Sequence, residues 1–69
     1  MREYKINKQL GKRIRRLRRE QKISQEKLAE KAGIHRTYMG KIERGESNPP
    51  IHTVEKIAKA LKIPISELF

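Results

Sequence analysis

Cysteine and tryptophan are both absent from the 69 residues, and aromatic side chains amount to two tyrosines and one phenylalanine. Without thiols there is neither a disulfide framework nor a thiolate metal site, and a reducing, cytoplasmic compartment is the natural expectation. No apolar run approaches the ~18–20 residues needed to span a bilayer. The charged first residues lack the apolar stretch of a signal peptide. The two histidines, His35 and His52, belong to no metal-ligand cluster. There is also no carboxylate constellation at catalytic spacing, no glycine-rich phosphate loop and no cysteine nucleophile. Neither an enzyme nor a metal or cofactor is expected.

Acidic residues are scarce, eight against 18 lysines and arginines, for a net charge of +10. The excess is uneven. Residues 1–22 hold ten of the basic residues and only two glutamates, so the first third of the chain carries most of it. A basic excess this dense draws polyanions, nucleic acid ahead of anionic membrane. Apolar residues make up 35% of the chain and fall at periodic positions. The length fits one folded domain, residues 1–69, near the lower limit for a single core.

The periodicity is helical throughout, with nothing that reads as a strand. Leu10, Ile14 and Leu17 predict a first helix over 7–21, capped by Asn7, with Lys12, Arg13, Arg15, Arg16 and Arg19 on its other face. Ser24 is placed to cap a second helix, with Glu26 at the positive end of its dipole and Leu28, Ala29 and Ala32 facing inward. A third helix is expected over 36–44, with Met39 and Ile42 inward and Gly45 just past its end. The prolines of ESNPP bar helix there. A fourth helix then places Ile51, Val54, Ile57, Ala58 and Leu61 on one face, and ISELF suffices for a final turn.

The break at Gly33-Ile34, between two short helices, is the informative feature. A tight glycine-containing turn joining two helices at a steep angle is a helix-turn-helix, here over about 24–44. Ala29 is small enough for a close crossing, Gly33 can adopt positive φ, and Ile34 can plug the wedge between the helices.

These residues carry a resemblance. The motifs SQEKLAEKAGI, Y-M-x-K-I-E-R-G, NPP, I-x-x-V-x-K-I-A-K-A-L-K-I and S-E-L-F resemble the Cro/repressor (xenobiotic-response-element type) helix-turn-helix family over about residues 8–69. HRTY followed by IERG is similar to the controller proteins of restriction–modification systems. The resemblance implies an all-α, five-helix, lambda-repressor-like domain whose third helix enters the major groove of double-stranded DNA. It assigns base reading to His35, Arg36, Thr37 and Lys41. Arg36 has the fork for guanine O6/N7 and Lys41 a single-armed equivalent. It assigns phosphate contacts to Gln25, Tyr38, Ser47 and Asn48; Arg13, Arg16 and Lys12 of helix 1 are candidates for flanking phosphate contacts, the alternative being a solvated basic face on which some of these charges are expected to lie. Gln25 can also brace the third helix, and the Tyr38 ring can instead pack between helices. Arg18 and Glu43 match a partly buried salt bridge between helices 1 and 3. Two positions depart from the usual pattern: His35 stands where a better-capping Ser or Thr is common, and Gly40 lies inside the recognition helix, where it could admit close approach to DNA.

One recognition helix reads roughly four base pairs, too few to select an operator, so a homodimer on a palindrome is expected. Ile63, Ile65, Leu68 and Phe69 are the candidate dimer residues, since the family commonly pairs through this region. The function implied is a transcriptional regulator, with RNA polymerase as a candidate further partner and the nucleoid as its place in the cell. An antitoxin-like module, whose main partner is another protein, is the alternative. A membrane-surface role for helix 1 is disfavoured because Leu10, Ile14 and Leu17 are needed for the core.

Overall fold

The computed structural model describes residues 2–69, with side chains from residue 6 onward. Four α-helices, α1 (Arg2–Glu20), α2 (Gln25–Ala32), α3 (Arg36–Glu43) and α4 (Ile51–Ala60), are followed by a 3-10 turn, Ile65–Leu68. The expected fifth helix is therefore this single tight turn, too short to form an α-helix. α1 starts well before Asn7, so that residue is not its cap. Nothing in the preceding sequence stops a helix, and Ile6 keeps the i, i+4 spacing to Leu10.

All four α-helices end in the same way. One residue takes positive φ: Lys22 (58°), Gly33 (71°), Gly45 (76°) and Lys62 (60°). Behind α2, Gly33 N–H donates to Glu30 O at 3.1 Å and Ile34 N–H to Ala29 O at 3.0 Å. This is a Schellman motif, and the corresponding pairs recur behind α1, α3 and α4. Behind α4 they are Lys62 to Lys59 and Ile63 to Ala58, both at 3.0 Å. The residue after the left-handed position is Ile23, Ile34 or Ile63 in three of the four, each half-buried and packed against the core. Each of these three helix ends thus closes its carbonyls and delivers an isoleucine inward in one step, whereas behind α3 the same place is taken by the exposed Glu46.

The core joins every element. Leu10 and Ile14 of α1 meet Leu28, Ala29 and Ala32 of α2, Met39 and Ile42 of α3, Val54, Ile57 and Ala58 of α4, then Leu61 and Leu68. Gln21 at the end of α1 donates to the Leu61 carbonyl at 2.7 Å, tying it to the end of α4. Ile51 departs from the expected inward stripe: it is 61% exposed, on the first residue of α4, one turn beyond the buried Val54.

Three of the proposed dimer residues pack within the monomer. Leu68 is 1% exposed, a member of the core and not of a surface. Ile63 is the inward isoleucine of the last Schellman motif, and Ile65 also packs against the core. Phe69, at 58% exposed, is the one of the four that remains at the surface.

Candidate nucleic-acid interface

The position of α3 follows from the turn before it. Left-handed Gly33 reverses the chain, Ile34 packs inward, and His35 starts the new helix in an extended conformation (φ −71°, ψ 144°). The Thr37 backbone N–H donates to His35 Nδ1 at 3.0 Å. Histidine therefore does act as the cap, through a ring nitrogen in place of a hydroxyl. Only the imidazole with its proton on Nε2 can accept in this way, which leaves Nε2–H as an outward-facing donor. Along α3, Met39, Gly40, Ile42 and Glu43 are buried, whereas Arg36, Thr37 and Lys41 are exposed. Tyr38 is half-buried against the core, so its ring serves packing.

The far end of α3 is locked by a buried carboxylate. Glu43 has no solvent-exposed side-chain surface. It accepts from Arg18 Nε at 2.8 Å and Arg18 Nη2 at 3.0 Å, and from Gln25 Nε2 at 3.2 Å. Arg18 Nη1 also donates to the Ile23 carbonyl at 3.0 Å, and Arg15 stands at 3.7 Å from the carboxylate. The expected α1–α3 salt bridge is present and extends to α2. Gln25 is thereby placed as the brace of the recognition helix. Gly40 lies beneath it: a Cβ there would sit 3.4 Å from Gln25 Oε1 and 3.0 Å from Arg44 Nη1. Its missing side chain makes room for the Gln25 and Arg44 side chains.

Arg36, the first residue of α3, pairs with Glu26 of α2, Nη1 to Oε2 at 2.8 Å. Sequence reasoning missed this contact. The signal was there, since α3 has no acidic residue in its first turn and a cation at a helix N-terminus calls for a nearby carboxylate. Past α3, Arg44 forks onto Glu46 through Nε at 2.9 Å and Nη2 at 3.3 Å. The hydrogen bond from Arg44 holds the Glu46 carboxyl below its ordinary pKa, slight desolvation opposing it. In the following loop Ser47 is half-buried and Asn48 exposed.

Of the helix 1 candidates, the structure turns Arg13 toward Phe69 and sets Lys12 beside the end of α3. Arg13 donates to the Phe69 carbonyl oxygen and lines a cavity of about 250 Å³ with Ile6, Gln9, Leu10, Leu68 and Phe69. Arg16 pairs loosely with Glu20 of its own helix at 3.9 Å. The basic residues of α1 beside the end of α3 are Lys8, Lys12 and Arg15, which line a groove with Glu43 and Arg44. The helical phase decides this: positions 8, 12 and 15 share one stripe, and 13 lies far round the helix from it.

This arrangement, a donor-bearing helix held against a second helix by a glycine turn, has counterparts among known proteins. The profile of the helix-turn-helix family matches residues 14–68. The chain is 44% identical over 59 residues to the immunity repressor protein of Bacillus phage phi105, covering 86% of this chain and 41% of the repressor. It is 41% identical over 63 residues to the control protein C.SmaI of Serratia marcescens, covering 91% of this chain and 75% of that protein. The chain thus spans under half of the phage repressor and about three quarters of the control protein. The crystal structure of the restriction-modification controller protein C.AhdI from Aeromonas hydrophila superposes with a TM-score of 0.90 at 41% identity, covering 91% of this chain and 96% of that one. Among the described residues no helix is long and apolar enough to cross a membrane. The chain belongs to the helix-turn-helix family.

Proposed function

We propose that the protein acts as a homodimer on a two-fold symmetric operator, placing one α3 in each of two successive major-groove turns. The observation that carries this is the division of α3 into a buried side, Met39, Ile42 and Glu43, and an exposed side, Arg36, Thr37 and Lys41, with His35 at its tip. Eight residues make a helix of ~12 Å, which matches the ~12 Å width of the major groove. Arg36 reads guanine, Lys41 makes a single-armed contact, Thr37 meets a thymine methyl, and His35 Nε2–H meets a base or phosphate acceptor. Gln25, Tyr38, Ser47 and Asn48 hold the backbone, and Arg13 and Arg16 add charge at a greater distance. Phe69, with Ile65 beside it, is the centre of the dimer contact.

The similarity in sequence to control proteins favours a controller of the restriction–modification kind, working in the cytoplasm on nucleoid DNA, with RNA polymerase as a further contact. Relatives named as repressors and control proteins favour this over an antitoxin-like module. Selection from a random duplex library tests the reading, with the recovered sites sequenced and the complex sized by sedimentation. The expected result is a palindrome with half-sites about one turn apart, bound by two chains. Recovery of no motif, or a one-chain complex on the recovered site, overturns it.

A further inference from the structure

The pairing of Arg36 with Glu26 sets opposite charges side by side on the exposed surface around α3. Both side chains are about two-thirds exposed, 67% and 69%, and an exposed ion pair contributes little to folding. Arg36 itself is badly placed for stability, since a guanidinium on the first residue of α3 faces the positive end of the helix dipole. Glu26 is equally unexpected for affinity. It puts a carboxylate at the front of a surface whose partner is a polyanion.

We infer that Glu26 is a specificity-determining residue that lets Arg36 bind a neutral base acceptor and keeps it from binding phosphate. This rests on the proposed docking of α3 in the major groove. With Nη1 held by the Glu26 carboxylate at 2.8 Å, the pair has no net charge, yet the guanidinium keeps further N–H donors on its remaining edges. Guanine O6 and N7 are uncharged acceptors, and the Glu26 carboxylate does not repel them. A phosphate diester is an anion, and it meets the carboxylate at close range. Paired in this way, Arg36 retains its hydrogen-bonding capacity toward guanine and loses the Coulombic attraction that would make it adhere to any DNA. The fixed partner also holds the guanidinium in one orientation before DNA arrives, so less ordering remains to be done on binding.

The consequence is read on DNA that lacks the operator. In Glu26→Gln, a replacement of nearly equal shape, Arg36 becomes an unopposed cation free to neutralise one more phosphate. The plot of log affinity against log salt for a random duplex should steepen by ~0.9. Between 50 and 200 mM salt the variant should accordingly lose about threefold more affinity than the parent protein. Operator affinity should rise less than random-duplex affinity, so the ratio between them falls. The added slope should vanish in the double variant Glu26→Gln/Arg36→Gln. An unchanged random-duplex slope in Glu26→Gln overturns the inference, as does a gain that survives removal of Arg36. The parent protein measured alongside separates the two levels. If it prefers its selected operator while the variant's slope is unchanged, only the role of Glu26 fails. If it shows no operator preference, the docking of α3 and this inference fail together. Circular dichroism of each variant confirms that the helices are intact.

Discussion

Glu43 of α3 and Arg18 of α1 meet through two parallel hydrogen bonds, 2.8 and 3.0 Å, with the carboxylate fully removed from solvent. A buried charge without its partner is far more costly than the intact pair is stabilising, by about 3–5 kcal/mol. A domain of this length has only ~3–10 kcal/mol of total stability. Arg18→Ala should therefore leave much of the population unfolded. The joint replacement Arg18→Met/Glu43→Leu should recover most of the loss, because no charge is stranded. Urea denaturation of the three proteins decides it, and equal losses in the single and joint variants would contradict the account.

Two glycines should respond to alanine for opposite reasons. Gly11 has helical backbone, where alanine ordinarily adds ~1 kcal/mol. However, a Cβ there would lie 2.4 Å from the Glu43 carbonyl oxygen and 2.5 Å from that of Ile42. Backbone oxygens cannot step aside, so α1 and α3 must separate, at about 1–3 kcal/mol. At Gly33 a Cβ has nothing within 4 Å, and only its φ of 71° opposes it. Gly33→Ala should lose ~1–2 kcal/mol, and Gly33→Asn less. Thermal melts would show Gly11→Asn faring no better than Gly11→Ala, the reverse of the order at Gly33.

Lys22 and Lys62 occupy the left-handed position that glycine fills behind α2 and α3, at φ of 58° and 60°. Lys62→Gly should raise stability by up to ~1 kcal/mol, the relief of left-handed strain being partly offset by a more flexible unfolded chain. Lys22→Gly should act in the same direction. A melting temperature lower than the parent's would show that the lysine side chains stabilise these turns in some other way.

His35 caps α3 through Nδ1, so His35→Ala should cost ~1 kcal/mol, a fall of ~4–8 °C in Tm for a domain this size. His35→Ser should keep the cap and restore the Tm. If the serine variant folds like the parent yet binds its operator less tightly, the Nε2–H donor has a separate part in DNA contact. Equal affinity would confine the histidine to capping.

The helices and their inward faces were legible because a period of 3.6 depends only on where apolar residues fall. The Gly33 turn was legible because one residue type satisfies its geometry so readily. Lys22 and Lys62 carried no such sign, for nothing in a lysine announces positive φ, and their motifs emerge only from the backbone. The Arg18–Glu43 bridge was accessible through resemblance. For the Glu26–Arg36 pair the sequence signalled only that Arg36 wants a carboxylate; which one it meets depends on the angle at which α3 leaves the turn. Arg13 was assigned to phosphate by charge and resemblance, neither of which reports the helical phase that brings it to Phe69. Leu68 was assigned to an interface by position, before the depth of a small core could be known.

The split along α3 has a consequence for how such a protein changes over time. Its anchoring side, Met39, Ile42 and Glu43, is committed to α1 and α2, whereas Arg36, Thr37 and Lys41 touch nothing the core depends on. The outer three can be rewritten while the domain keeps its shape and stability, much as a key blank is recut without altering its bow. Divergence among copies of this fold should therefore be able to produce new DNA addresses through a handful of codons, each intermediate remaining a folded, testable protein.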